Sequence, residues 1–196
     1  MIEFIKEMEK YAEEENIPII ERKSIDFINK LIEIQNVETV LEIGTAIGYS
    51  AIMMALANEK VKITTIEKDE KRYIEALKNI KKCGLESRIN VVFQDALEVN
   101  MAGFNYDLIF IDAAKGQYIK YFDKFQYYLN EDGTIVTDNI GFHGLVGNKE
   151  QAGSKNLEKL VEKIENYIEF LKNNPDFVTK FYEVGDGLSV SIRKEK

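Results

Sequence analysis

Two apolar segments of the sequence each end in a carboxylate. Residues 109–111 lead into Asp112, and residues 135–137 lead into Asp138, which is followed by Asn139. If both segments are parallel strands of one sheet, their carboxyl ends meet at the same edge, where open α/β sheets bind ligands. Two carboxylates and an amide are the hard oxygen ligands that Mg²⁺ or Mn²⁺ takes. The pattern predicts a metal site of Asp112, Asp138 and Asn139, unless these acids only cap loops.

Lys115 lies three positions after Asp112 and is the candidate proton acceptor at this site. Three protein oxygens leave positions open on an octahedral cation, and two adjacent oxygens of a substrate can fill them. A hydroxyl bound in this way loses its proton more readily, and a nearby amine takes that proton. Asp112 and Lys115 are therefore the predicted catalytic residues.

A second group of residues is placed to bind a small ligand through the backbone. An apolar strand at 39–43 is followed by Gly44 and Gly48, which allow the backbone to pass close to a ligand. Ala46 and Tyr49 occupy the second and third glycine positions of the dinucleotide motif G-x-G-x-x-G, so the turn predicts a ligand without a pyrophosphate. The alternative is a tight turn that serves packing alone.

Two acids further along the chain favour a nucleoside in this place. Glu67 lies roughly 20 positions after Gly44, at the end of the next predicted strand, where an acid binds ribose hydroxyls in such folds. The charged run 67–70 allows the alternative that Glu67 is only a solvated acid. Asp95, followed by Ala96, comes just after the third predicted strand and is placed to accept the adenine amino group, or else to cap a turn.

The periodicity of the chain switches repeatedly between strand-like and helix-like segments. The predicted strands are 39–43, 61–66, 89–93, 106–111, 134–137, 177–183 and 188–193. The predicted helices are 2–15, 24–34, 47–57, 70–82, 118–129 and 154–172, and Ser24 is the predicted cap of the second helix. This alternation indicates a doubly wound α/β fold with a mostly parallel seven-stranded sheet. Gly185 and Gly187 join the last two strands in an antiparallel hairpin, and residues 131–133 form the turn before the fifth strand.

The 196 residues suit a single domain, 1–196, whose residues 1–36 form a helical cap region. Cys83 is the only cysteine, which excludes an internal disulfide and fits a reducing cytoplasm. No apolar segment reaches about 20 residues, and residues 1–15 carry no apolar core segment, so neither a membrane span nor a signal peptide is expected. The net charge of −8 argues against a general nucleic-acid binder but leaves room for a local basic patch.

In combination these motifs resemble a known family, the metal-dependent O-methyltransferases of the catechol and caffeoyl-CoA type. The similar segments are 16–20, 41–50, 111–115, 138–139 and 185–188. The resemblance covers nearly the whole chain and implies a class I, Rossmann-like methyltransferase fold that uses S-adenosylmethionine. Within the family, residues 113–118 and 142–146 look most like those of bacterial tRNA 5-hydroxyuridine methyltransferases.

The resemblance implies a role for each matching residue. The cofactor would be bound by Ile20 as a cover, by Glu42, Gly44 and Ser50 at the methionine part, by Glu67 at the ribose, by Asp95 and Ala96 at the adenine, and by the adjacent Asp112. Mg²⁺ or Mn²⁺ would lie on Asp112, Asp138 and Asn139, and Lys115 matches the family's general base. The family also implies a homodimer.

Two acceptors and one non-enzymatic function agree with these residues. The resemblance favours the wobble 5-hydroxyuridine of a tRNA anticodon loop, whose O5 and O4 are adjacent and whose base is unstacked. A small catechol-like or phenolic metabolite is the alternative acceptor, and a non-catalytic S-adenosylmethionine-binding module is the second alternative. An RNA acceptor would need a local cluster of cations, for which the candidates are Arg22, Lys23, Lys115, Lys120, Lys149 and Lys155.

Three further residues near the predicted site have more than one interpretation. Phe142 and Tyr118 are placed to stack a base or a catechol ring, or else they belong to the core or its rim. His143, the only histidine, is a second base, an RNA contact or a polar loop residue.

Overall fold

The computed structural model describes residues 2–141, 144–147 and 153–195, and these residues form one seven-stranded sheet. The strands are β1 (Thr39–Ile43), β2 (Lys62–Glu67), β3 (Ile89–Phe93), β4 (Tyr106–Ile111), β5 (Leu129–Asp138), β6 (Phe177–Tyr182) and β7 (Leu188–Arg193). Their order across the sheet is β3-β2-β1-β4-β5-β7-β6. The first five strands run parallel, whereas β7 is antiparallel to both β5 and β6. The predicted fold class, including the C-terminal hairpin, is confirmed.

Helices cover both faces of this sheet. They are α1 (Ile2–Glu14), α2 (Arg22–Ile34), α3 (Tyr49–Ala57), α4 (Glu70–Lys82), α5 (Tyr118–Phe125) and α6 (Lys155–Lys172). Successive side chains of a strand point to opposite faces. Val40 of β1 accordingly belongs to the core that includes α1, α2 and α3, whereas Leu41 and Ile43 belong to the core that includes α5 and α6. Within the described ranges, none of the helices is long and apolar enough to span a membrane.

The start of α2 differs from the prediction. Glu21, not Ser24, is the extended residue before the helix, and its carbonyl oxygen accepts the Ile25 amide at 3.1 Å. Ser24 lies inside the first turn and is fully buried, with its hydroxyl against Gly185 of the C-terminal hairpin. The predicted cap is wrong because packing against a segment distant in sequence decides where this serine lies.

Two other helices are shorter than predicted. α3 begins at Tyr49 because Ala46 and Gly48 have φ values of 46° and 83°, and such left-handed residues cannot continue a right-handed helix. α5 ends at Phe125 and is followed by a 3₁₀ turn, Gln126–Tyr128. The glycine turn is therefore longer than the sequence suggests, which leaves more backbone at the end of β1 to surround a ligand.

β5 is longer than predicted because the expected turn at 131–133 lies inside it. Tyr106 pairs with Leu129 and Leu108 pairs with Thr134, so β5 bulges where β4 continues regularly. A Cβ at Gly133 would lie 2.7 Å from the Leu129 side chain and 3.0 Å from the Asp107 carbonyl oxygen, so a larger residue in the bulge would force Leu129 to move. The glycine that signals a turn in the sequence instead allows the strand to continue to Asp138.

Candidate active site

A cavity of about 300 Å³ lies at the carboxyl ends of β1, β2, β3 and β4. Its wall contains most of the residues predicted for the cofactor and for catalysis, namely Ile20, Gly44, Ser50, Glu67, Asp95, Ala96, Asp112 and Lys115. Parallel strands bring these separate segments together at one edge, as expected for an open α/β sheet. Three other predicted residues, Glu42, Asp138 and Asn139, are not part of the wall.

Gly44 brings the end of β1 against the end of β4. Its φ is 103°, and a Cβ at this position would lie 2.1 Å from the carbonyl oxygen of Asp112. The Asp112 amide donates to the Ile43 carbonyl oxygen at 3.0 Å. Any side chain at position 44 would force the two strand ends apart, so the glycine is needed for the close approach that joins both ends of the cavity.

Glu67 is buried at the cavity wall, and three backbone amides hold its carboxylate. Oε2 accepts from Ala46 at 2.8 Å, and Oε1 accepts from Lys68 and Asp69 at 2.9 Å each. A carboxylate accepts about four hydrogen bonds, so acceptor capacity remains for a ligand. Through Ala46, Glu67 also ties the glycine turn to β2, a structural role that the sequence does not predict.

Glu42 is fully buried and lies behind Ser50, so it supports the cavity wall without being part of it. Its Oε1 accepts a hydrogen bond from Ser50, and its Oε2 accepts one from Thr65 Oγ1 at 2.5 Å. Thr65 and Thr45 share a further hydrogen bond of 2.6 Å. Burial raises the pKa of Glu42 to about 8. Glu42 thus contacts the wall residue Ser50 directly and the wall residue Thr45 through Thr65, and its contact with the cofactor stays a prediction.

Asp95 has the turn-capping role, one of the two that the sequence leaves open, and its adenine contact stays a prediction. Its Oδ1 accepts from the Leu97 amide at 2.9 Å, and its Oδ2 accepts from Lys68 Nζ at 3.2 Å. The backbone hydrogen bond and then the Lys68 ammonium hold the pKa of Asp95 below its usual range. Asp95 thus organises the turn after β3 and also lies at the cavity wall beside Ala96.

Asp112, Asp138 and Asn139 lie together at the ends of β4 and β5. Asn139 Nδ2 donates to Asp138 Oδ2 at 2.9 Å and lies 3.5 Å from Asp112 Oδ1. Burial raises the pKa of Asp112, and burial together with the Asp112 charge raises the pKa of Asp138. Because each carboxylate disfavours ionisation of the other, a cation bound between them would stabilise both charges.

The same three side chains fit a hard cation by their chemistry. Asp138 Oδ1 is buried and accepts no hydrogen bond from the described residues. The Asn139 amide presents its nitrogen to the acids, and a half-turn of the amide presents its oxygen in the same place. No three His, Cys, Asp or Glu side chains cluster within the described ranges, so a cation here would depend on two carboxylates and the amide.

Comparison with known proteins agrees with this geometry. The family model described as O-methyltransferase matches residues 2–194. The chain belongs to this O-methyltransferase family. A crystal structure from Staphylococcus aureus, assigned as a caffeoyl-CoA O-methyltransferase, has 36% sequence identity, covers 97% of this chain and 92% of its own, and has a TM-score of 0.93.

Two further relatives support the class of this O-methyltransferase. Flavonoid 3',5'-methyltransferase of Vitis vinifera is 29% identical over an alignment of 203 positions, which covers 95% of this chain and 82% of that protein. An O-methyltransferase from Bacillus cereus, solved in complex with SAH, is 25% identical, covers 98% of this chain and 91% of its own, and has a TM-score of 0.84. The predicted enzyme class and its Rossmann-like fold are confirmed.

In this O-methyltransferase, Lys115 lines the cavity at the start of a 3₁₀ turn, Lys115–Gln117, that follows β4. Its positive charge lowers the pKa of Asp112 and of Asp138, against the rise caused by burial. The structure therefore brings the two residues predicted as catalytic, Asp112 and Lys115, to the same end of the cavity.

Tyr118 of the O-methyltransferase is a core residue. It is 1% exposed, and its hydroxyl donates to the Asp138 carbonyl oxygen at 2.9 Å. Of the two roles that the sequence leaves open for Tyr118, the structure has the core position, because α5 turns this side chain inward, where it supports the end of β5. Phe142, His143 and Lys149 lie outside the described residues.

Two tyrosines of the wall were not predicted. Tyr49 begins α3, lines the cavity and donates its hydroxyl to Glu9 of α1 at 2.5 Å. Tyr121 lies on α5, 4% exposed and again at the wall. Tyr121 follows Tyr118 by about one helical turn, so the helical period already places both side chains on the same face of α5. For Tyr49 the signal was its place directly after the glycine turn.

Proposed function

We propose that this O-methyltransferase transfers the methyl group of S-adenosylmethionine to one hydroxyl of a small phenol that carries two adjacent oxygens. The observation that carries the proposal is one cavity with two chemically different ends. Glu67 and Asp95 form an end suited to a nucleoside, whereas Asp112 and Lys115 form an end suited to proton transfer. Two reactants held in one cavity react without first meeting by diffusion, which lowers a large part of the barrier.

The nucleoside end fits S-adenosylmethionine by its hydrogen-bonding capacity. Glu67 retains acceptor capacity for ribose hydroxyls, and Asp95 is ionised and able to accept the adenine amino group. Ser50 lies in the first turn of α3, where the amides at a helix start attract the carboxylate of the methionine part. Support also comes from the Bacillus cereus relative, which was solved with SAH.

At the other end, Asp112, Asp138 and Asn139 would hold Mg²⁺ or Mn²⁺. Such a cation makes a neighbouring hydroxyl more acidic and fixes its direction. Lys115 takes the proton that the hydroxyl loses. Residues 18–20 line the cavity as well, and the buried Ile20 would help to exclude water from a cofactor bound there.

A small phenol fits the described surface better than an RNA loop. The net charge is −8, and Arg22, one of the cations proposed for RNA, lies 3.6 Å from Glu9 and 3.4 Å from Asp26. The two carboxylates therefore offset the positive charge of Arg22, which leaves it less able to attract an RNA phosphate. Relatives with high coverage carry the names of a caffeoyl-CoA and a flavonoid methyltransferase. The tRNA wobble acceptor has no such support and remains the competing prediction.

Labelled S-adenosylmethionine tests the proposal with matched acceptors. The protein is incubated with catechol, with phenol, and with tRNA that contains or lacks 5-hydroxyuridine, each in Mg²⁺ or in excess chelator. We expect label in catechol, none in phenol because it lacks the second oxygen, and none in chelator. Label only in hydroxyuridine-containing tRNA would show that the acceptor is tRNA and not a small catechol-like compound. Full transfer in chelator would rule out the metal, and label in no acceptor would overturn the proposal.

A further inference from the structure

The turn between β6 and β7 packs against the loop that follows β5. The Ile140 amide donates to the Gly187 carbonyl oxygen at 3.1 Å, and the Gly141 amide donates to the Asp186 carbonyl oxygen at 2.7 Å. Both bonds lie just beyond the last β5–β7 pair, Asp138 with Leu188, and their register differs by one residue from that of the strands. The backbone directly after Asn139 is therefore fixed to the C-terminal hairpin.

Two glycines permit this contact. Gly187 has a φ of 87°, and a Cβ there would lie 2.8 Å from the amide nitrogen of Gly141. A Cβ at Gly141 would in turn lie 2.8 Å from the carbonyl oxygen of Asp186. Neither overlap can be relieved by rotating a side chain, since the atoms that would be met belong to the backbone. The two segments approach each other as closely as backbones allow.

The opposite side of the same turn packs against the segment that covers the cavity. A Cβ at Gly185 would lie 2.1 Å from Ser24 Oγ and 3.3 Å from Glu21 Oε2. Glu21 precedes α2 and directly follows Ile20, which lines the cavity. The turn at 185–187 thus packs between two segments: the residues before α2 that line the cavity, and the loop that follows Asn139.

We infer that the turn at 185–187 is a positioning element that holds Asn139 beside Asp112 and Asp138. Asn139 has a φ of 62°, a left-handed conformation that few residue types besides glycine, asparagine among them, adopt readily, so the direction of its side chain depends on keeping this backbone turn fixed. The two backbone hydrogen bonds directly after Asn139 supply that constraint. The inference rests on the proposed metal site, because a fixed Asn139 matters for function only if its amide is a ligand.

Mn²⁺ affinity, measured by electron paramagnetic resonance without acceptor, tests the inference. Gly187→Ala and Gly141→Ala each place a Cβ in the contact. Gly103→Ala is the matched control, because Gly103 has a φ of 86° and a Cβ there would meet nothing within 4 Å. We expect the two contact variants to bind Mn²⁺ at least about tenfold more weakly, and Gly103→Ala to bind it like wild type. S-adenosylmethionine affinity should stay within about twofold in all three, a change of about 0.4 kcal/mol.

A double variant separates positioning from a general loss of stability. If the turn acts through Asn139, Asn139→Ala weakens Mn²⁺ binding and the addition of Gly187→Ala weakens it no further. Additive losses, or a parallel loss of S-adenosylmethionine affinity in Gly187→Ala, would overturn the inference. Should Gly187→Ala fail to fold by circular dichroism, Gly141→Ala carries the test, since Gly141 does not have a left-handed φ.

The wild-type measurement distinguishes this inference from the proposed function. A wild-type protein that binds no Mn²⁺ overturns the metal site and the inference with it. A wild-type protein that binds Mn²⁺, beside contact variants of unchanged affinity, overturns the positioning role alone and leaves the metal site intact.

Discussion

Glu42 and Glu67 are acids on neighbouring strands, and the sequence places both of them at the cofactor. Glu67 ends β2 and reaches the cavity wall, whereas Glu42 lies one residue before the end of β1 and faces the buried hydroxyls of Ser50 and Thr65. Strand alternation decides which residue of a pair faces which side. Which side is open depends on the helices packed there, and residue spacing alone does not contain that information.

Replacing Glu67 by glutamine should weaken S-adenosylmethionine binding by at least about tenfold and should lower the stability of the glycine turn without unfolding the chain, because an amide nitrogen cannot accept the backbone hydrogen bonds that one carboxylate oxygen now accepts. The amide offers one acceptor oxygen instead of two, and a hydrogen bond to a charged group contributes roughly 1.5–3 kcal/mol. Isothermal titration calorimetry measures the affinity. Asp69→Asn is the control, because Asp69 caps α4 by accepting the Arg72 amide and asparagine caps equally well. Wild-type affinity in Glu67→Gln would remove Glu67 from the ribose site.

Glu42 should make the stability of the protein fall as the pH rises. Above about pH 4.5 the unfolded chain releases the Glu42 proton, whereas the folded chain keeps it up to about pH 8, so rising pH favours unfolding across this window. Glutamine does not ionise, so Glu42→Gln does not lose stability in this way as the pH rises. Since one pH unit corresponds to about 1.4 kcal/mol, we expect Glu42→Gln to gain roughly 2–3 kcal/mol over wild type between pH 5 and pH 7.

Urea unfolding of both proteins at several pH values measures this difference. In the difference between the unfolding free energies of Glu42→Gln and wild type, the contributions of all other titrating groups that the substitution does not affect cancel. A difference in unfolding free energy that stays constant from pH 5 to pH 8 would show that the buried carboxyl ionises normally.

At the scale of elements, β1, β3, β4 and β7 begin and end at the residues that the sequence predicts. Short apolar runs between polar turns have little freedom in length, so local rules locate them. The two clear errors, the cap at Ser24 and the turn at 131–133, have one cause. Ser24 packs against Gly185, and β5 pairs with β4 on both sides of the bulge that contains Gly133, so contacts between distant segments override local preference.

The contact between α2 and the C-terminal hairpin makes a quantitative prediction. Gly185→Ala should lower the unfolding free energy by roughly 2–4 kcal/mol, because it adds a left-handed alanine and an overlap with Ser24 Oγ at 2.1 Å. Gly84→Ala, with a φ of 67° and no neighbour within 4 Å, should lower it by only about 1–2 kcal/mol.

Removing the hydroxyl should restore part of the loss. In Gly185→Ala combined with Ser24→Ala, the nearest atoms are Glu21 Oε2 at 3.3 Å and Ser24 Cβ at 3.4 Å. Urea unfolding of the single and double variants gives the coupling between the two sites. Equal losses in Gly185→Ala and Gly84→Ala would contradict the prediction, because they would show that the added Cβ meets no resistance from Ser24.

At the scale of the whole molecule, the sheet order brings together residues that the chain keeps apart. β1 lies between β2 and β4, so Gly44, Glu67 and Asp112 lie side by side at the ends of three adjacent strands. The alternation of strands and helices predicts this convergence, because a ligand binds where the strand order reverses. The alternation alone does not place residues 18–20 or show what the turn at 185–187 packs against, since both depend on how the two terminal segments pack; the family resemblance alone predicts Ile20 as a cover.

The family resemblance also predicts a homodimer, which stays a prediction. The apolar face of α1 is already used within the chain, where Ile5 and Met8 are buried. A partner would cover other apolar side chains, such as Leu56, which is 38% exposed beside a second cavity of about 650 Å³.

Light scattering at micromolar concentration should give about twice the chain mass of 22.6 kDa. Leu56→Glu should lower that mass, whereas Leu77→Glu on the exposed surface of α4 should not; a monomeric wild type would contradict the dimer.

The division of the cavity into a cofactor end and a catalytic end is tested most directly by single-turnover methyl transfer. Wild type and Lys115→Met are mixed, in excess over labelled S-adenosylmethionine, with catechol and Mg²⁺. We expect Lys115→Met to bind S-adenosylmethionine like wild type and to transfer the methyl group at least about 100-fold more slowly, because a positioned base contributes roughly 10²–10⁴ in rate. Transfer by Lys115→Met at the wild-type rate, or no transfer by wild type, would contradict this division.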